Sequence, residues 1–97
     1  MIYRIIINYM KTSQFQNKCS FLVKAIDEHK NTKRNPQFSF TQFMEEVGEL
    51  ARAINRPKLR HKDLDKENLR EEFADVFLQL CVLADLYEID LEKATEE

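Results

Sequence analysis

Apolar residues recur along three stretches of this chain at the three- and four-residue spacing of an amphipathic helix. In the first, Phe15, Cys19, Leu22, Val23 and Ile26 form one stripe that runs to about His29. Thr12 or Ser13 stands where an N-cap belongs, and Ser13 with Gln16 has capping-box spacing. In the second, Phe43, Val47, Leu50 and Ile54 share one side. Ser39 with Gln42 predicts its start, and Phe38 with Phe43 has the spacing of a hydrophobic staple. Pro57 disfavours a helical Arg56, so this helix is expected to end near Asn55. The third stretch runs from about Lys66 to Tyr87, with Asp63 or Asp65 as cap and Leu69, Phe73, Val76 and Leu80 on its stripe. Asp90 predicts the cap of a short last helix that begins at Leu91.

The connections differ in character. Residues 31–37 carry no apolar side chain and read as a solvated loop, whereas residues 55–66 form a basic connector. Residues 1–10 are rich in β-branched and aromatic residues without helical period, which predicts a short strand or an irregular packed arm. The pattern therefore predicts an all-α fold, with residues 1–97 as a single domain and residues 1–12 as its N-terminal arm. Leu78 and Val82 point away from the stripe of the third helix, so that helix needs a second apolar partner surface. Another subunit is the simplest supply.

Composition supports this picture. Among 97 residues, 43% are hydrophobic and 33% charged, with one Gly and two Pro, a profile of helices with few turns. A monomer of this length buries a modest core, which favours self-association as a homodimer or homotetramer. A net charge of −2 gives no domain-wide basic field and excludes a general nucleic-acid backbone binder. Cys19 and Cys81 are too few for a disulfide framework, which predicts a reducing, cytoplasmic setting. The Ile5-Ile6-Ile7 run is too short for a signal-peptide core, and residues 76–84 are interrupted by Gln79 and closed by Asp85. Neither a secretion signal nor a membrane span is expected.

Two acidic motifs then change the reading from a small bundle to a candidate site. Glu45-Glu46-Val47-Gly48-Glu49 lies on the second helix and its near copy Glu71-Glu72-Phe73-Ala74-Asp75 on the third. At about 100° per residue, Glu46 and Glu49 fall within roughly 60° of each other, as do Glu72 and Asp75. Each pair has the same angular relation to its own apolar stripe, so pairing the stripes brings four carboxylates together. Such a group stays ionised at a semi-buried site only when a cation neutralises it, and hard oxygen ligands suit Mg²⁺ or Mn²⁺. Gly48 lies opposite the acids, where a missing side chain permits close helix approach.

Glu-Glu-x-x-Glu followed after a basic gap by Glu-x-x-Asp resembles the signature of the MazG-like all-α nucleoside triphosphate pyrophosphohydrolases. The resemblance rests on FMEEVGELARAI and LREEFADVFLQLCVLADLYEIDLEKA, about half of the chain. It implies a helical bundle completed by dimerisation, a four-helix core drawn from two protomers, and Mg²⁺-dependent hydrolysis of a nucleoside triphosphate to monophosphate and pyrophosphate. House-cleaning of non-standard nucleotides is one use of that chemistry. Residue by residue, it implies Glu46, Glu49, Glu72 and Asp75 as metal ligands, with Glu45 and Glu71 as catalytic groups that orient the attacking water or stand behind the ligands. Many family members carry a basic segment beyond the last helix, whereas this chain stops at Thr95-Glu96-Glu97. Phosphate binding then falls to the metals and to basic groups such as Lys33, Arg34, Arg52, Arg56 and Lys58. Tryptophans that flank the base in some relatives are absent, and Phe38, Phe40 or Tyr87 are the available aromatics.

Two rivals follow from the same residues. A non-catalytic helical oligomerisation or regulatory module can keep a metal- or nucleotide-binding acidic face without turnover. A di-iron carboxylate bundle expects Glu-x-x-His on facing helices, and no histidine lies three residues after any of these acids.

Overall fold

The computed structural model describes residues 12–31 and 33–96. The strand or arm expected over residues 1–10 lies outside the described residues. Within them the chain forms four helices and no strand: α1 (Thr12–His29), α2 (Pro36–Leu59), α3 (Lys66–Leu86) and α4 (Leu91–Thr95). No helix among the described residues is long and apolar enough to cross a membrane.

Helix α2 is longer at both ends than the hydrophobic pattern predicts. Its N-cap is Asn35, whose Oδ1 accepts the Phe38 N–H at 2.9 Å, and Pro36 occupies the first turn, where its missing N–H leaves no gap in the ladder. Ser39, the expected cap, sits one turn inside the helix, fully buried, with no partner for its hydroxyl among the described residues. Gln42, its expected capping-box partner, instead accepts from the Arg34 guanidinium at 3.0 Å. At the other end the helix runs through Pro57 to Leu59. Pro57 falls in the last turn, so it removes only the bond that the Ala53 carbonyl would accept. Its own carbonyl takes the Lys62 N–H at 2.8 Å while His61 donates to Lys58 at 3.3 Å, a Schellman closure with His61 at φ 53°. Helix α3 ends the same way: Ile89 donates to Ala84 and Glu88 to Asp85, both at 2.9 Å, with Glu88 at φ 57°. Asp65 caps α3 through Asn68 at 3.1 Å, and Asp90 caps α4 through Glu92 and Lys93.

The closed core lies between α1 and the second half of α3. Cys19 and Val23 meet Cys81 and Val82 there, with Phe15, Leu78 and Leu91 packed around them. Phe15 and Phe77 add a tilted ring pair at 5.0 Å between centroids. The second surface required by Leu78 and Val82 is thus α1 of the same chain, not another subunit. A helix with an apolar stripe reaches a partner on its own chain whenever the connection permits, and the α2 excursion brings α3 back beside α1. Gln16 fixes that return. Its amide donates to the Ile89 carbonyl at 2.7 Å and accepts the Leu91 N–H at 3.0 Å, so it joins α1 to the α3–α4 corner rather than closing a capping box. At the far end of α1, Arg34 pairs with Asp27 at 2.9 Å and lies over the Phe38 ring, which anchors the start of α2.

The α2–α3 packing is the most extensive among the described helices, yet it is only half closed. Val47, Leu50, Leu69 and Val76 are partly buried, whereas Ile54 is 43% and Phe73 55% exposed. That open seam carries the acids.

Candidate metal centre

Antiparallel α2 and α3 set the two acidic motifs against each other. Carboxylate oxygens of Glu46, Glu72 and Asp75 all lie within 4.8 Å of one another. Glu49 stands at the edge of this group, near enough to both Glu46 and Glu72 for its charge to act on each. Burial pushes the Glu46 carboxyl above the ordinary carboxylate range, and Glu49, Asp75 and Glu72 push it further. Glu72 rises for the same reasons, with burial first and then Glu49 and Asp75.

Two oxygens in this cluster are orphaned. Oε2 of Glu46 and Oε2 of Glu72 are shielded from water and have no hydrogen-bond partner among the described residues. Buried carboxylate oxygens are normally satisfied by donors, and here the nearest polar groups are other carboxylates. A hard divalent cation is the chemical group that fits: it accepts several carboxylate oxygens at once and cancels their repulsion. The donor set contains no soft sulfur or imidazole, since Cys19 and Cys81 are in the core on the other side of α3 and no histidine joins the group. Glu45 and Glu71 precede the paired acids by one residue and are exposed, outside the group.

Beside the acids a cavity of about 360 Å³ opens between the C-terminal half of α2 and the N-terminal half of α3. Glu49 and Glu72 form one end of its wall, and Arg52, Arg56, Arg60 and Lys62 supply its positive charge. Arg52 and Arg56 are among the phosphate-binding candidates of the sequence, whereas Arg60 and Lys62 stand there only as basic residues of the connector. Once α2 continues through Pro57, Arg52, Arg56 and Arg60 fall roughly 60°, 20° and 20° from Glu49 on the helical wheel, a spacing already visible in the chain. Lys58 is absent from the cavity lining and lies roughly 180° from Glu49. Arg34 is engaged with Asp27 and Gln42, and Lys33 lines a different cavity beside α1. The aromatics Phe38, Phe40 and Tyr87 are exposed and do not line the cationic cavity. Gly48 is exposed as well, with open space where a Cβ would stand, so its small size serves no helix contact among the described residues.

The fold and this site define a small all-α protein with a carboxylate cluster between two antiparallel helices. Residues 34–97 match the family model of the MazG nucleotide pyrophosphohydrolase domain, and the chain belongs to that family. The match begins in the loop before α2 and takes in both acidic motifs and α4. Comparison with curated proteins and with solved structures returned no match. Family membership identifies a hydrolase of the nucleotide pyrophosphohydrolase kind at a coarse level.

Proposed function

We propose that this chain is a Mg²⁺-dependent pyrophosphohydrolase that converts a nucleoside or deoxynucleoside triphosphate into its monophosphate and pyrophosphate. The observation that carries the reading is the cluster of Glu46, Glu72 and Asp75 with its two orphaned oxygens, set within a MazG domain. Glu46, Glu49, Glu72 and Asp75 are the residues that would hold the cation, with Mn²⁺ as a substitute. When bound, the cation supplies positive charge against phosphate oxygens whose negative charge grows in the transition state. Glu45 and Glu71 are the exposed carboxylates at the rim, and one of them accepts the proton of the attacking water as general base. The rest is position: two rigid helices hold the acids in fixed register, and no covalent nucleophile is required.

Self-association belongs to the same proposal. Met44 and Ile54 on α2, with Phe73 and Phe77 on α3, leave apolar surface exposed on the helices that carry the acids, and a second copy would cover it. The two free, buried thiols fit a cytoplasmic setting.

The test is a pyrophosphate-release screen over standard and modified nucleotides in Mg²⁺, Mn²⁺ and chelator. Release that depends on the divalent cation is expected for at least one nucleotide. Nucleotide binding without release throughout the panel would instead favour the non-catalytic module.

A further inference from the structure

We infer that the cationic wall of the α2–α3 cavity holds the pyrophosphate end of the substrate, so that the polyphosphate points from the acid cluster toward the α2–α3 connector and the nucleoside leaves in the opposite direction. This rests on the pyrophosphohydrolase reading for the identity of the substrate, but the anion site stands on its own geometry. Arg52, Arg56 and Arg60 project along one line of α2, with about 12 Å of helix rise between the first and the last, and the line starts one turn beyond Glu49. Lys62 adds a fourth cation from the connector. None of the four takes part in an ion pair among the described residues. Asp63 and Asp65 face the same cavity, yet Asp65 already accepts the Asn68 N–H as the cap of α3. Unpaired guanidinium groups in a concave site next to an acid cluster form a graded electrostatic track: cation-binding at one end, anion-binding along the rest. An extended polyanion with a metal-coordinating end matches that order, because guanidinium forks bind phosphate oxygens bidentately.

The experiment measures binding of inorganic tripolyphosphate by calorimetry in Mg²⁺ buffer, which needs no turnover. Arg52→Ala/Arg56→Ala should weaken binding by about tenfold or more, Arg60→Ala by a smaller factor, and Lys58→Ala, on the far side of the same helix, should leave it unchanged. Circular dichroism on each variant checks that the helices persist. Wild-type affinity in the double variant overturns the inference, and so does an equal loss in Lys58→Ala, which would reveal a diffuse charge effect. Where turnover is present, the double variant should lose inhibition by pyrophosphate while keeping inhibition by the nucleoside monophosphate; the reverse pattern overturns the polarity. Loss of tripolyphosphate binding in a protein that cleaves no nucleotide would leave the anion site standing and remove the pyrophosphohydrolase reading. Cleavage with an unchanged KM in the double variant would do the opposite.

Discussion

Helix α3 is packed on two sides by two kinds of contact. In its second half Cys81 and Val82 meet Cys19 and Val23 of α1, and all four side chains are buried. In its first half Glu72 and Asp75 meet Glu46 of α2, with Glu49 at the edge, and the neighbouring Phe73 stays more than half exposed. The first contact gains from every apolar atom it removes from water. The second cannot close in the same way, because each step toward burial raises the repulsion among carboxylates. One region is therefore a finished core, and the other is a half-open seam in which carboxylates face one another.

The sharpest way to break this comparison is to neutralise a seam carboxylate. Glu72→Gln or Asp75→Asn should reduce pyrophosphate release more than about a hundredfold, beyond the loss typical of groups that only support a metal ligand. In chelator the same variants should melt no lower than the wild type, since the change relieves repulsion. Release at the wild-type rate in either variant removes the metal-ligand assignment.

The core side answers to a different substitution. Val82→Ala should cost about 2 kcal/mol, while Val47→Ala in the half-open seam should cost about half as much or less. Chemical denaturation of both proteins checks this. Equal losses would mean that the seam is as closed as the core, as a tightly packed second copy would make it. The thiols of the core offer a companion observation: burial and the neighbouring Cys19 push the Cys81 thiol up to about 11, so native protein should resist thiol-directed alkylation at neutral pH.

Between these extremes lies a dependence on pH. Glu46 and Glu72 hold their protons in the folded chain to a higher pH than in the unfolded one. Over the window from the ordinary carboxylate pKa up to their raised values, the unfolded state binds fewer protons, and stability falls as pH rises. Above the window the loss stays constant. Chelated protein should accordingly lose stability relative to Glu46→Gln as the pH rises above the ordinary carboxylate range, measured as a difference in thermal midpoint. Mg²⁺ or Mn²⁺ should restore more at pH 8 than at pH 5. A flat difference curve would show that the acids are solvated independently.

Much of this organisation was legible in the chain. The wheel positions of Glu46, Glu49, Glu72 and Asp75 follow from helix periodicity alone; the geometry brings Glu46, Glu72 and Asp75 together and leaves Glu49 at their edge. The cap at Asp90 is readable because an acidic side chain before an apolar run satisfies orphan N–H groups; the same rule leaves Asp63 and Asp65 open for α3, and the structure uses Asp65. The ends of α2 were not legible. Asn35-Pro36 and Ser39-Gln42 both carry start signals, and local pattern alone does not rank them; the burial of Ser39 and the Arg34 bridge to Asp27 decide. Pro57 is a breaker by local rule, and only the carbonyl it leaves open and the closure at His61 determine that one more turn forms. That turn ends at the Arg60 cap and brings Arg60 to the face of α2 that carries Glu49. The partner of Leu78 and Val82 was hidden for another reason: which of two apolar stripes closes within the chain depends on tertiary return, which periodicity does not encode.

The smallest expected effect tests the seam from its outer side. Gly48 interrupts α2 opposite the acids, and a Cβ there meets nothing within 4 Å. Glycine inside a helix costs backbone entropy that alanine does not, so Gly48→Ala should stabilise the chain by about 0.5–1 kcal/mol. That outcome requires the open space to persist in solution. If a second copy covered this side of α2 closely enough to need the missing side chain, the methyl group would lower stability and weaken self-association together, which light scattering and denaturation on one sample can detect. A gain in stability with unchanged assembly would direct the search for the dimer contact to the exposed Phe73 and Phe77 side of the seam, where apolar area rather than a small residue invites a partner.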